Sequence, residues 1–245
     1  MRKEYDRFIS LQGCTNFRDL GGYPARNGRT VKWSRLFRSD SLHGLSPPDV
    51  NHIYDILGVV TVLDLRNADE VQRDRHRPPA ALSVGYHNLP LLERYEFVPY
   101  DPAEDPAARL SDFYLWLLSN AGGRMAGALA TLGENGSLPA VFYCAAGKDR
   151  TGVFAALTLG VLGVDDDHIV SDYLLTNQRL EQLAVRLRAI PGNERRPSKS
   201  FEAQPKAMKE LLSALRAGYG DAEGYVKAHG VGEATIDRLR AFLLE

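Results

Sequence analysis

Residues 144–153 combine the side chains that phosphoryl transfer by a thiol requires. Cys144 and Arg150 stand six positions apart, Gly147 lies between them, and Thr151 and Gly152 follow the arginine directly. A thiolate can attack phosphorus, and a guanidinium can bind two oxygens of a phosphoryl group with its planar fork. The spacing therefore favours a phosphomonoester hydrolase that forms a phosphocysteine, which water later cleaves.

The flanking residues predict the local structure that would position this chemistry. An apolar run over 138–143 leads into the cysteine, and a helix-like apolar run over 153–162 leads away from the arginine. A tight loop between a strand and a helix start directs backbone N–H groups and the positive end of the helix dipole at one point, where a tetrahedral oxyanion binds. That field also favours the thiolate form of Cys144, and Gly147 permits the backbone angles that the curl needs. A Walker-type phosphate loop is excluded, because Asp149 follows Gly147 and Lys148 and no glycine stands five places before Gly147.

Each predicted site residue also has a plainer interpretation. Cys144 could be a buried structural cysteine beside a surface arginine. Lys148 is expected to meet phosphate oxygens or a second acidic group, and otherwise to be a solvated loop lysine. Thr151 is expected to donate to the sulfur, and otherwise to cap the helix. With Cys144 as nucleophile and Arg150 as the clamp, the predicted phosphate-binding residues are Ala145, Ala146, Gly147, Lys148 and Thr151.

The loop resembles the signature of the cysteine-dependent protein tyrosine phosphatases. Its variant, Cys-x-x-Gly-Lys-Asp-Arg-Thr-Gly, is similar to the bacterial and fungal tyrosine/serine phosphatases that also act on phosphoinositides. The match extends from about residue 10 to residue 180 through the segments 16–22, 36–42, 63–66 and 172–177. The resemblance implies a phosphatase-like α/β fold with a helical C-terminal addition. It departs from the family at Tyr143, where the wider superfamily usually has a histidine that helps to order the loop.

The general acid has several candidates, and the chain contains no Trp-Pro-Asp sequence. The resemblance implies that Asp149, inside the loop, protonates the leaving group. Its alternative role is to shape the loop or to pair with Lys148 or Arg150. The other candidates are Asp64, Asp101, Asp105 and Asp112.

The segment 16–22 is interpreted as a brace for the first strands, with a local pair between Arg18 and Asp19 and a turn at Gly21 and Gly22. Cys14 could form a disulfide with oxidised Cys144, or it could be a small buried side chain.

Composition indicates an intracellular enzyme of one domain. The chain has 245 residues, of which 44% are hydrophobic, and a formal net charge of -1 from 30 basic and 31 acidic residues. Such a balance predicts no nucleic-acid partner, and two cysteines argue against a disulfide framework. The charged N-terminus lacks the apolar core of a signal peptide, and no apolar run predicts a membrane span. We therefore expect a cytoplasmic enzyme without metal or cofactor; the oligomeric state stays open.

Hydrophobic periodicity predicts an α/β fold, a mostly parallel central sheet flanked by helices. Strands are expected over 30–37, 59–63, 83–89 and 138–143. Helices are expected from Ser46 to Leu57, around 69–73, as a pair over 109–134 broken at Gly122–Gly123, over 153–162, from Asp165 toward Leu187, and over 206–217, 221–229 and 232–244. Residues 90–108, rich in proline, are expected to form an irregular connection.

The whole chain, residues 1–245, is read as a single phosphatase domain with its core at about 10–190. Residues 191–205, with their prolines and cations, could be a solvated linker or a basic flap that meets acidic peptides or inositol phosphate headgroups. Residues 206–245 are expected to be a helical tail packed on the core.

The predicted activity is hydrolysis of phosphotyrosine in proteins. From the resemblance, phosphoserine, phosphothreonine and phosphoinositides are additional substrates. Two alternatives stay open, namely another thiol enzyme (a rhodanese-type sulfurtransferase or an arsenate reductase) and a non-catalytic phosphate-binding module. Arg150 and Thr151 favour phosphate over sulfur transfer, and the presence of both Cys144 and Arg150 argues against a module without activity.

Overall fold

The structure, a computed structural model, describes residues 6–74, 83–93 and 103–245. The strands in this part of the chain are β1 (Arg18–Asp19), β2 (Leu36–Ser39), β3 (Thr61–Asp64), β4 (Gly85–Asn88) and β5 (Ala140–Tyr143). The α-helices are α1 (Pro47–Asn51), α2 (Ala68–Arg73), α3 (Pro106–Asn120), α4 (Gly122–Leu132), α5 (Asp149–Val161), α6 (Asp166–Leu174), α7 (Leu180–Arg188), α8 (Pro205–Tyr219), α9 (Ala222–Ala228) and α10 (Glu233–Leu243).

The strands form one sheet in the order β1-β2-β5-β3-β4. Only β1 runs antiparallel to its neighbour; β5 pairs in parallel with β2 on one side and with β3 on the other. All four residues of β5 are buried, as expected for an apolar strand covered on both faces. The predicted mostly parallel α/β fold is confirmed, and Cys144 leaves the central strand at the carboxyl edge of the sheet, where α/β folds bind ligands.

Helices cover both faces of this sheet. The larger hydrophobic cluster joins side chains of β3 and β5 to those of α3–α6 and of the C-terminal helices α8–α10. A smaller cluster on the other face contains Phe17, Phe37, Ile53, Val62 and Val141. The C-terminal helices therefore share the main core with β5, the central strand. No helix in the described ranges has the length and apolarity to cross a membrane.

Two sequence-based boundaries were wrong. The strand expected over 30–37 begins only at Leu36, because Ser34 has a positive φ of 57° that interrupts the extended chain. The helix expected from Asp165 toward Leu187 is divided by a 3-10 turn at Leu175–Arg179. Within that turn the side chain of Asn177 hydrogen-bonds to the backbone N–H and C=O of Ala203. A continuous α-helix would direct this side chain away from Ala203.

Most other predicted elements lie close to their expected positions. Two differ further: α5 begins at Asp149, before the expected 153, and the helix expected from Ser46 to Leu57 continues past α1 as a π-helix over His52–Ile56. The break between α3 and α4 falls at Ala121, beside the predicted glycines, and α3 begins at Pro106 behind an Asp105 cap. Of the irregular connection predicted over 90–108, residues 94–102 lie outside the described residues.

Candidate active site

The loop after β5 forms the floor of a cleft of about 860 Å³. Cys144, which is 2% exposed, lines it at the end of the central strand. Helix α5 begins at Asp149, four residues before the predicted start at Val153. The first turn of a helix has no intrahelical acceptors for its N–H groups. Because α5 starts inside the loop, these unpaired N–H groups and the positive end of the helix dipole lie within the loop. Loop residues that line the cleft with Cys144 are Ala145, Ala146, Lys148, Asp149 and Arg150.

Gly147 lies on the back of the loop, against β2. Its φ is 65°, a value that disfavours residues with a side chain. A Cβ at this position would lie 2.5 Å from the backbone nitrogen of Asp40 and 2.5 Å from the carbonyl oxygen of Ser39. Both backbone angle and space therefore require glycine here.

A buried polar brace holds the loop from behind. Asn16 donates through Nδ2 to the carbonyl oxygens of Ala146 (3.3 Å) and Gly147 (3.2 Å), and Arg38 donates to the Gly147 oxygen at 2.8 Å. Arg18 contacts the side chain of Asn16. The segment 16–22 thus braces the phosphate loop as well as the first strands.

One carboxylate anchors both arginines of the brace. Asp172 in α6 pairs with Arg18 at 3.1 Å and with Arg38 at 2.6 Å, and all three side chains are almost fully buried. Burial alone would raise the pKa of Asp172, but the two guanidinium groups outweigh it and hold the pKa at about 2. The local pair predicted between Arg18 and Asp19 was wrong, because Asp19 instead accepts from backbone N–H groups of a turn.

Arg150 is held by a residue that the sequence reasoning missed. Its two terminal nitrogens donate to Glu70 at 2.6 and 2.7 Å, a bidentate pair inside the cleft. Burial favours the neutral acid, but the hydrogen bonds and charge of Arg150 hold the pKa of Glu70 below its usual range. Glu70 is fixed in turn by a capping box with Asn67 at the start of α2. The sequence signal was Asn-x-x-Glu directly after a buried strand.

Asp149 is the only predicted acid candidate, among the described residues, whose carboxyl group lines the cleft. Its Oδ1 accepts from the Tyr114 hydroxyl at 2.7 Å and lies 3.6 Å from Lys148 Nζ. The pairing with Lys148 that the sequence left as an alternative is therefore present.

The remaining acid candidates lie elsewhere. Asp64 is buried under the sheet edge in an ion pair with Arg66, Asp105 caps α3, and Asp112 is an exposed residue of that helix. Asp101 lies outside the described residues.

Lys148 is buried, so the solvated-lysine interpretation was wrong. Its Nζ donates to the carbonyl oxygens of Phe201 (3.0 Å) and Glu202 (3.4 Å). Burial lowers its pKa. In this structure the ammonium group holds the segment 191–205, and contact with a phosphate stays a prediction.

Thr151 is the third residue of α5, inside the first turn. The cap position is Lys148, so the helix-cap interpretation of Thr151 was wrong. Its hydroxyl is buried without a hydrogen-bond partner among the described residues. Donation to the sulfur during the reaction stays a prediction.

Tyr143, in place of the histidine of the wider superfamily, belongs to a network beside the loop. Its hydroxyl donates to Asp64 at 2.7 Å and accepts from Arg66 at 3.3 Å. Burial, followed by the charge of Asp64, raises the pKa of Tyr143. The residue before Cys144 is therefore a neutral hydrogen-bonding anchor.

The segment 191–205 forms one wall of the cleft. Phe201 is 5% exposed and packs on Ala146 and Leu187, and the guanidinium of Arg196 lies over its ring. The segment's residues in the cleft wall are Pro191, Asn193, Arg196, Ser200 and Phe201. The sequence left two interpretations of this segment, a solvated linker and a basic flap. The structure places the segment over the site, where a solvated linker would not pack.

Both cysteines are free thiols. Burial, followed by the charge of Asp40, raises the pKa of Cys14, and a buried protonated thiol is a poor nucleophile. Cys14 packs in the smaller hydrophobic cluster, which agrees with the small-side-chain interpretation. The described residues contain no group of histidine, cysteine and acidic side chains that could hold a metal ion.

The comparisons with known proteins agree with this geometry. Residues 9–245 match the model of the tyrosine phosphatase family. A Cupriavidus necator protein with the provisional name of tyrosine-protein phosphatase is 31% identical, over 89% of this chain and 82% of its own. The triple specificity protein phosphatase PtpB of Mycobacterium tuberculosis is 29% identical, over 96% of this chain and 98% of its own. A tyrosine-protein phosphatase of Nostoc commune is 28% identical, over 90% and 78%.

Replacement of Gly147 by alanine is expected to distort the loop. The positive φ costs about 1 kcal/mol for any residue with a side chain, and the added Cβ must also displace backbone of β2. We expect hydrolysis of p-nitrophenyl phosphate to fall by on the order of 100-fold. The matched control is Gly136→Ala, which has a φ of 78° but open space around the Cβ. Equal stability and equal kinetics in the two variants would contradict the assigned constraint.

Glu70→Gln is expected to weaken the bidentate hold on Arg150. Because Arg150 then loses its fixed orientation, we expect kcat/KM for p-nitrophenyl phosphate to fall by about 10- to 100-fold and the inhibition constant of inorganic phosphate to rise. The control is Glu93→Gln, a carboxylate on the exposed rim of the same cleft that pairs with Arg124. Phosphate inhibition that is unchanged in Glu70→Gln would show that Arg150 needs no partner.

Proposed function

The chain belongs to the tyrosine phosphatase family, and we propose that it hydrolyses phosphotyrosine in proteins through a phosphocysteine formed on Cys144. The observation that carries the proposal is the cleft floor, where a cysteine ends the central strand at the start of α5 beside an arginine held by Glu70. The named relatives favour phosphate chemistry over the sulfurtransferase and arsenate reductase alternatives.

The first step is displacement at phosphorus. The Cys144 sulfur attacks, the S–P bond forms, and the bond between phosphorus and the leaving oxygen breaks. Arg150 and the N–H groups of the loop bind the three equatorial oxygens and stabilise the charge that builds on them. Asp149 gives its proton to the leaving oxygen.

The second step returns the enzyme to its starting state. Water attacks the phosphocysteine, the S–P bond breaks, and Asp149 takes the proton from that water. Thr151, whose buried hydroxyl faces no partner among the described residues, donates to the sulfur as it leaves. No metal or cofactor enters either step.

The side wall of the cleft supports an aromatic substrate. Apolar side chains of α3 and of the connection after β4 line the space beside the loop: Leu92, Leu110, Phe113 and Trp116. A phenyl ring attached to the bound phosphate gains by burial against such a wall. Arg109 and Arg196 in the cleft lining favour acidic groups around the phosphorylated residue.

Further substrates rest on likeness alone. Because the mycobacterial relative is named a triple specificity phosphatase, we include phosphoserine, phosphothreonine and phosphoinositides in the proposal. A cytoplasmic location stays a prediction, supported by two cysteines that are both free.

Cys144→Ser is expected to abolish turnover of p-nitrophenyl phosphate, measured without metal and with reductant, while inorganic phosphate still binds. Serine keeps the shape of the loop but has no thiolate at neutral pH. In the wild type, acid quench and mass spectrometry should find phosphate on Cys144. Cys14→Ser is the matched control and should retain turnover. Wild-type turnover by Cys144→Ser would exclude this nucleophile.

Asp149→Asn is expected to lower kcat by on the order of 100-fold or more for phenyl phosphate and much less for p-nitrophenyl phosphate. A good leaving group departs without protonation, so only the poor one needs the acid. Asp69→Asn is the control, because Asp69 is an exposed carboxylate lining the same cleft. The same loss on both esters would assign the acid to another residue.

A further inference from the structure

A chain of hydrogen bonds leads from the carboxylate of Asp149 into the protein. Tyr114 in α3 donates from its hydroxyl to Asp149 Oδ1 at 2.7 Å, and the hydroxyls of Tyr114 and Tyr173 lie 2.8 Å apart. The Tyr173 oxygen accepts from the backbone N–H of Gln204 at 3.2 Å. The chain therefore connects the loop to the residue just before α8.

The direction of these bonds follows from the groups at each end. A backbone N–H can only donate, and an ionised carboxylate can only accept. With Asp149 ionised, the Tyr114 proton must therefore point at Oδ1, and Tyr173 must donate its own proton to the Tyr114 oxygen. Each hydroxyl then donates once along one line, and neither can rotate without losing a bond.

Burial makes this arrangement rigid. Tyr114 is fully buried and Tyr173 is 1% exposed, and their rings meet edge to face with centroids 6.0 Å apart. Burial, and then the charge of Asp149, raises the pKa of Tyr114 well above its usual range, so it stays a proton donor. A buried hydroxyl that lost this partner would incur the cost of an unsatisfied polar group.

Lys148 acts on the same carboxylate oxygen. Its Nζ lies 3.6 Å from Asp149 Oδ1 and is held by the carbonyl oxygens of Phe201 and Glu202. Both contacts made by Asp149 to these neighbours thus fall on Oδ1, and the proton that catalysis needs belongs on Oδ2.

We propose that Tyr114 is a positioning residue that fixes Asp149 through Oδ1 and so presents Oδ2 to the leaving oxygen. Tyr173 and the N–H of Gln204 set the orientation of the Tyr114 hydroxyl. This inference rests on the proposed role of Asp149 as the acid. It also links the acid to the segment 191–205, because Gln204 lies in that segment.

The test is Tyr114→Phe, which keeps the packed ring and removes the donor. Measured with phenyl and p-nitrophenyl phosphate, it should lose on the order of tenfold in kcat on the poor leaving group and much less on the good one. Tyr173→Phe should shift kcat in the same direction by a smaller factor. The control is Tyr225→Phe, which removes a buried hydroxyl that donates to the carbonyl oxygen of Leu118 in α3, outside the chain of hydrogen bonds to Asp149, and it should match the wild type.

The double variant Asp149→Asn with Tyr114→Phe separates positioning from general loss of structure. If Tyr114 acts through Asp149, the double variant has the leaving-group dependence and kcat of Asp149→Asn alone. A further multiplied loss in the double variant, or an equal loss on both esters in Tyr114→Phe, would overturn the inference. A normal Asp149→Asn result with a silent Tyr114→Phe overturns only this inference, whereas equal losses in Asp149→Asn overturn the acid assignment as well.

Discussion

Two buried arginines share one carboxylate behind the loop that follows β5, and the geometry of the candidate site depends on that triplet. Asp172 binds Arg18 and Arg38, and Arg38 passes the constraint to the loop through the carbonyl oxygen of Gly147. Burial of three charges brings little net stability, because desolvation offsets their attraction. What these charges provide is orientation. The donors of each guanidinium group have fixed directions, so only one arrangement of the loop carbonyl oxygens satisfies those donors.

The loop is also held by close packing against β2 and by the start of α5. Gly147 fits against β2 with no space for a Cβ, and α5 starts at Asp149, inside the signature. The strand end, the helix start and the brace thereby hold one short loop at the floor of the cleft. A thiolate placed there faces a preorganised positive field, which needs no rearrangement when the phosphoryl group arrives.

Each of the three charged side chains of the loop has a protein partner that fixes its direction. Glu70 holds Arg150, the Phe201 and Glu202 carbonyls hold Lys148, and Tyr114 contacts Asp149. These partners lie in different elements, among them α2, α3 and the segment 191–205. The cleft is therefore built where these elements meet, and a shift of any one of them would move Arg150, Lys148 or Asp149 without touching Cys144.

The sequence by itself determined the class of fold and predicted the local chemistry. The strand-loop-helix pattern around Cys144 is contiguous, so residue types and spacing alone predicted the nucleophile, the clamp and the parallel sheet. Capping residues and apolar runs also predicted most of the helices, because these signals act between residues that are close in sequence.

Only the tertiary structure decided which distant groups orient that chemistry. Glu70 lies 80 residues from Arg150 in sequence, Tyr114 lies 35 residues from Asp149, and Arg18 lies 154 residues from Asp172. No periodicity links such pairs. Arg18 also has an acidic neighbour in sequence, Asp19, but that carboxylate accepts from the backbone N–H groups of a turn instead.

The position of the segment 191–205 was likewise beyond the sequence, because its prolines and cations predict a loop but not the surface on which the loop lies. Its place over the cleft follows from Phe201 packing on Ala146, a contact between residues that only the fold brings together.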